Sequence, residues 1–411
     1  MNKSPRLFPN TVKGVLEALE SSFGKGLYVN RVLENSLRLN KKWGSRDRSF
    51  VAEHTYEIVR WWNFLWAVLG KEPNTDRSSL EQLFGVYWKW RGFDLPEWPG
   101  FDSIRDMDIE ARSLEITALH ERESYALWFS ELAQEQLGDK WPLLAHDLNQ
   151  PNSVNVRINT LKSNEKEVIQ ELAEAGIVVY RHPAFPKAHF LEGRPKLKNN
   201  SSFLKGKFEI QDAGSQEISN FLNPTPGSIV IDACAGAGGK TLHLGALMEN
   251  QGTLIAMEIE GRKLEELHRR IQRSGVTIME TRAWEEEGVL AELTNTADYL
   301  LLDAPCSGTG TIKREPDTKW KFEPVHLAQY QTMQFEILDK YPAMLKSGGT
   351  LVYATCSILP SENSDQVKLF IENHPEFSLV EEKTIDPATN NDGFYMACLL
   401  YTSDAADEIV R

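Results

Sequence analysis

Cysteine is scarce in this chain, with four in 411 residues and none in a Cys-x-x-Cys pair. That excludes a disulfide-stapled scaffold and a thiolate metal cage, and it fits a reducing cytoplasm. No apolar run approaches the roughly 18 residues of a membrane span. The opening Met1-Asn2-Lys3-Ser4-Pro5-Arg6 has no apolar signal core. Positive charge is also short: 45 Lys and Arg stand against 59 Asp and Glu, a net of −14. Such a balance argues against indiscriminate nucleic-acid binding but leaves room for a local basic patch. Two nucleotide signatures are missing as well. Gly239-Lys240-Thr241 ends like a P-loop, yet the glycine needed five places earlier is Cys234, and G-x-G-x-x-G fails at the same turn. The expectation is a cytoplasmic protein with no membrane segment and no metal site.

Apolar material is ample, at 41% hydrophobic and 25% charged residues, and the length predicts two or three domains. Charge is uneven. Met1 to Arg60 holds eleven Lys/Arg against six Asp/Glu, and Arg181 to Asp212 holds seven against three. Residues 1–149 read as a helical domain. Val12, Val15, Leu16 and Leu19 recur at helical spacing, a second helix runs through Val32, Leu33 and Leu37, and a third runs from Val51 to Leu69. Nine of the eleven tryptophans precede Pro151. They could be base-stacking platforms, but large rings filling a helical core is the better reading.

Residues 150–223 read as a small α/β module. Ser153–Asn159 alternates like a strand, Glu165–Ala175 is helical and Ile177–Tyr180 is a short strand. From residue 224 strands and helices alternate: Ile229–Asp232, Leu254–Glu258, Tyr299–Asp303 and Thr350–Ala354 are near-continuous apolar strands. The fold class is therefore α/β, with a doubly wound, mostly parallel sheet covered on both faces. Ligands in such sheets bind beyond the carboxyl ends of the strands. Separately, Cys398–Glu408 resembles a translated sequencing-library adapter. Residues 398–411 are accordingly expected to be a non-native tail that cuts short the strand beginning Gly393-Phe394-Tyr395-Met396.

Chemistry-bearing residues gather at the predicted strand ends. Asp232-Ala233-Cys234-Ala235-Gly236-Ala237-Gly238-Gly239-Lys240-Thr241 leaves a strand and opens a helix, where small residues let a ligand approach the backbone. Glu258 ends the next strand, 19 positions after Gly239, close to the ~20 expected of a carboxylate holding ribose hydroxyls. A nucleoside-bearing cofactor without a pyrophosphate fits. Two thiols, in Asp303-Ala304-Pro305-Cys306-Ser307 and Thr355-Cys356-Ser357, close two further strands. A thiolate that adds to carbon 6 of a pyrimidine turns carbon 5 into a nucleophile toward an activated methyl group, and a second group then helps elimination.

At these residues the chain resembles the RNA cytosine carbon-5 methyltransferases of the Sun/Fmu type, bacterial ribosomal RNA enzymes. The matching stretches are Asp232–Thr241, Asp303–Gly310, Thr355–Ser357, Asp392–Met396 and Gln211-Asp212-Ala213-Gly214-Ser215. The resemblance implies a Rossmann-like methyltransferase domain over residues 224–397 and S-adenosyl-L-methionine as cofactor. It implies an RNA-recognition-like module at 150–223 and RNA, ribosomal RNA first, as partner. It further implies that Cys356 is the nucleophile and Cys306 assists release. Cys234, Ala235, Gly236, Ala237, Gly238, Gly239 and Lys240 would line the cofactor, Glu258 would hold its ribose, and Asp303 would sit near its reactive end. Lys313, Arg314, Lys319 and Trp320 are candidates for RNA contact, and the basic Arg181–Lys207 stretch would hold phosphates. Two positions depart from the family. Ala237 replaces a common proline, and Thr281-Arg282 stands where an aspartate often meets the adenine; Arg282 cannot accept that hydrogen bond. The alternative reading is a catalytically weak RNA-binding ribosome-assembly factor that retains the fold. A methyltransferase acting on protein or a small molecule is disfavoured by the small module and the basic patches.

Overall fold

The computed structural model describes residues 6–283 and 288–402. The chain divides into two compact units, Met1–Asn149 with Arg314–Glu323, and Gln150–Lys313 with Pro324–Arg411.

The first unit is helical, including Pro9–Leu19, Val29–Leu39, Ser45–Arg60, Trp62–Leu69, Arg77–Trp90 and Leu127–Leu137. The single helix expected from Val51 to Leu69 is in fact two. It breaks at Trp61, which leaves helical geometry at φ −105° and ψ 22°. The break is held from afar: the Ser124 hydroxyl accepts the amide of Asn63 at 3.0 Å, capping the new helix start. The tryptophans serve the core. Trp66, Trp88 and Trp141 are fully buried, and Trp62 stacks on Phe23 at 3.6 Å.

The second unit holds two sheets. The smaller contains β1 (Val154–Ile158), β2 (Val179–Arg181), β3 (Ala188–Leu191) and β4 (Phe208–Ile210), antiparallel in the order β2-β3-β1-β4. Val156, Leu191 and Phe208 on one face bury Val168 and Leu172 of the helix Glu165–Glu174. The opposite face carries Asn155, Arg157 and Glu209, all buried. Glu209 receives Arg270 and Arg273 of the helix Gly261–Ser274 at 3.1 and 2.6 Å. This face is therefore packed against the larger sheet's helices.

The larger sheet contains β5 (Ile229–Asp232), β6 (Thr253–Glu258), β7 (Met279–Ala283), β8 (Ala297–Asp303), β9 (Leu345–Thr355), β10 (Phe377–Ile385) and β11 (Phe394–Tyr401). Its order is β10-β11-β9-β8-β5-β6-β7. β5 to β9 pair in parallel, while β11 runs antiparallel to both neighbours. Apolar side chains fill both faces, from Ile231, Leu300 and Leu351 on one to Val230, Leu301 and Val352 on the other. The break expected after Ala397 does not occur. Cys398, Leu399 and Leu400 pair with Val352, Leu351 and Thr350, since their alternation continues the strand. Positions 403–411 of the suspected tail lie outside the described residues. Among the described residues no helix is long and apolar enough to cross a membrane.

Candidate active site

The strand ends of β5, β6 and β8 open onto a cleft of about 730 Å³, within the usual range for small-ligand sites. Cys234, Gly236, Glu258, Ile259, Asp303, Pro305 and Cys306 line it. Gly236 adopts φ +55° and has open space where a Cβ would stand, so the cleft comes up to bare backbone there. The Glu258 carboxylate accepts the Glu260 amide through Oε1 at 2.8 Å, which fixes its direction and leaves the second oxygen for hydroxyl groups.

The remaining turn residues do other work. Ala235 is buried with Leu267, and a Cβ on Gly238 would meet the Leu267 side chain at 2.2 Å. The Ala237 carbonyl accepts Arg270 at 2.8 Å, and Gly239 begins the helix Gly239–Leu247. Lys240 donates to Asp303 at 2.6 Å. Burial opposes its charge, but the Asp303 carboxylate outweighs that and holds Lys240 above the usual lysine value. Asp232 is buried and pushed up to about 7 by desolvation, against the hydrogen bond from Thr241. Burial, then the Asp232, Asp303 and Glu258 carboxylates, push the Cys234 thiol well above its ordinary range. Cys234 is thus a neutral lining group.

The ends of β8 and β9 bring Cys306 and Cys356 together, with their sulfurs 3.3 Å apart. The neighbouring Cys356 sulfur, then burial, push the Cys306 thiol well above its usual value. The Cys356 loop is tightly enclosed. Its carbonyl accepts the Gly310 amide at 2.8 Å, and the Gly310 carbonyl accepts that of Gly393 at 2.9 Å. A Cβ on Gly310 would lie 2.3 Å from the Gly393 carbonyl oxygen, so only glycine fits there.

Two stretches of the chain have counterparts among known proteins. Residues 219–407 match the model for the 16S rRNA methyltransferases RsmB/F. Residues 125–197 match the ferredoxin-like domain of RsmF/B-like methyltransferases. Over these residues the chain is similar to the RsmB/F family. Over 269 residues it is 35% identical to "Probable ribosomal RNA small subunit methyltransferase B" of Synechocystis sp., covering 64% of this chain and 60% of that protein. Over 284 residues it is 34% identical to ribosomal RNA small subunit methyltransferase B of Salmonella paratyphi B, covering 66% and 65%. The chain thus spans about 60–65% of the length of these relatives. The solved structure of PH0851 shares the fold, with a TM-score of 0.79 and 24% identity over 97% of this chain and all of that one.

Several residues expected to touch RNA are placed elsewhere. Lys313 is buried, and its ammonium donates to the Ala388 carbonyl. Lys319 is buried in the helical unit. It donates to the carbonyls of Arg60, Glu123 and Ser124 at 3.1, 3.2 and 2.9 Å, and to Asn149. The Trp320 indole donates to the Val59 carbonyl at 2.7 Å. Of these four only Arg314 is exposed. In the basic stretch, Arg181 pairs with Glu165, and Lys207 pairs with Glu167 and Glu171, whereas Arg194, Lys196, Lys198 and Lys205 are exposed. Arg282 pairs with Glu280 at 3.0 Å.

Sequence reasoning missed Glu362. It is fully buried and joins the two thiol loops. Oε1 accepts the Ser307 amide at 2.8 Å and Gln334 Nε2 at 3.1 Å, and Oε2 accepts the hydroxyls of Ser307 and Ser357. The only signal was its place six residues after Cys356, in Pro360-Ser361-Glu362-Asn363, which reads equally well as a helix start.

Proposed function

We propose that this chain transfers a methyl group from S-adenosylmethionine to carbon 5 of a cytosine in RNA, ribosomal RNA first, by way of a covalent adduct on Cys356. The observation that carries this reading is the pair of thiols 3.3 Å apart at the ends of β8 and β9, beside the cleft. The similarity to the RsmB/F methyltransferases supports the methyl-transfer chemistry and the ribosomal RNA substrate. The cleft volume, the bare backbone at Gly236 and the oriented Glu258 suit the cofactor, which supplies an electrophilic methyl on a sulfonium. Glu258 would hold ribose hydroxyls, and Asp303, fixed by Lys240, would face the reactive end.

The Cys356 thiolate adds to carbon 6 of the base, forming a C–S bond and moving the ring's π pair to carbon 5. The bound cofactor would supply the methyl to carbon 5 and keep the pair of the broken methyl–sulfur bond on its sulfur. The carbon-5 proton is then lost to water, and the C–S bond breaks with its pair returning to Cys356. Cys306 is within reach to assist that elimination. The Lys240 ammonium faces Cys356. The target base must leave its stack to reach it.

The test uses Cys306→Ser and Cys356→Ser proteins incubated with cofactor and RNA from a strain lacking the enzyme, followed by a denaturing gel. Cys306→Ser should accumulate a protein–RNA adduct and Cys356→Ser none. An adduct only in Cys356→Ser reverses the roles. No adduct in either protein, together with no cofactor binding, favours the assembly-factor reading.

A further inference from the structure

The two serines that follow the thiols converge on one carboxylate. With both hydroxyl protons directed to Glu362 Oε2, the Thr309 hydroxyl, 3.1 Å from each serine oxygen, donates to one of them. Thr309 in turn accepts the Ile358 amide at 3.1 Å, and Ser357 accepts the Leu359 amide at 3.0 Å. Every group that faces the carboxylate is a donor, the arrangement that suits an ionised, acceptor-only Glu. Its Oε1 takes the amide of the Cys306–Ser307 peptide, so its charge lies beside Cys306. Gln334 Nε2 also donates to the Pro305 carbonyl at 2.9 Å, and the Tyr353 hydroxyl donates to the Glu362 carbonyl at 2.7 Å, which fixes the acid from behind. A buried carboxylate costs desolvation unless it is fully hydrogen-bonded, and the four donors supply that compensation.

We propose that Glu362 is a positioning residue. It clamps the Cys306 and Cys356 loops so that the sulfurs stay adjacent, and its charge reserves the anionic role for Cys356 by lying against Cys306. The proposal deepens the two-thiol reading and rests on it. The groups facing Cys306 are the Cys356 sulfur, Glu362 and Tyr353, with burial adding to them, and the Gly308 amide, which alone among them favours the charged sulfur. Lys240 faces Cys356 and is paired with Asp303. The Glu362 charge pushes the Cys306 thiol upward, in the direction the proposal requires.

The experiment reads the thiols directly, without RNA or methyl transfer, so it stands or falls apart from the proposed activity. Brief iodoacetamide labelling across pH, followed by peptide mass spectrometry, gives the rate at each cysteine. In the native chain Cys356 should label at lower pH than Cys306; the opposite order overturns the proposal. In Glu362→Gln the ratio of Cys306 to Cys356 labelling should rise about tenfold, the change that one pH unit of thiol acidity produces. Glu362→Asp keeps the charge and shortens the clamp, so it should retain the preference for Cys356. A clamp without an electrostatic role would leave the ratio unmoved in both variants and would overturn the charge assignment. S-adenosylhomocysteine binding by calorimetry reports whether each variant is folded. If Glu362→Gln does not fold, the native labelling order and Glu362→Asp still decide.

Discussion

Asp232 closes β5 with one oxygen bonded to Thr241 at 2.6 Å and the other without a hydrogen-bond partner. Its folded value of about 7 lies well above the ordinary 3.8, so the folded state prefers the protonated acid. The stability this contributes is complete below about pH 4 and is lost as pH rises through 7, at up to about 1.4 kcal/mol per pH unit. In urea unfolding of the ligand-free protein, Asp232→Asn should gain on the native chain steadily between about pH 5 and 7. Parallel curves would count against the raised value. At this scale the two cysteines were legible because thiols are rare and each ends a strand with a serine after it. Glu362 was not, because a glutamate near a helix start is ordinary and only the tertiary fold brings Ser307 to it.

Elements with strong periodicity were legible, and short or irregular ones were not. Helix Pro9–Leu19 and the parallel strands carry their pattern locally. β3 and β4 have four and three residues, too few for alternation to register. The helix break at Trp61 depends on Ser124, whose hydroxyl accepts the Asn63 amide across 61 residues. Residues Arg314–Glu323 show the same dependence. They hold residues expected to contact RNA, yet Lys319 caps the carbonyls of Arg60, Glu123 and Ser124 and sits 3.9 Å from the Tyr125 ring centroid. Burial lowers its ammonium well below the usual lysine value. Lys319→Met leaves those acceptors without their donor and should cost about 3 kcal/mol or more, measured by chemical unfolding. A loss below about 0.5 kcal/mol, the range of ordinary surface changes, would contradict the buried cap.

For the whole molecule, a net charge of −14 means that the proposed RNA substrate would have to be met by local patches. Arg194, Lys196, Lys198 and Lys205 are exposed, while Arg181 and Lys207 are paired to glutamates. If those four meet phosphates, replacing them with alanine should reduce the slope of log affinity against log salt by about 3, taking roughly 0.7 per phosphate for single strands. An unchanged slope in filter binding would remove the patch from the interface. The sequence alone determined the α/β class, the glycine-rich turn, the acid ending β6 and the two thiols, because these depend on local pattern and on residue types with few alternative uses. Which basic residues are buried, which carboxylate joins the thiol loops and how close the sulfurs lie follow from the folded packing. Those facts are set by packing between segments far apart in the chain: Lys319 meets partners 170 to 259 residues away, and Glu362 meets Ser307 across 55.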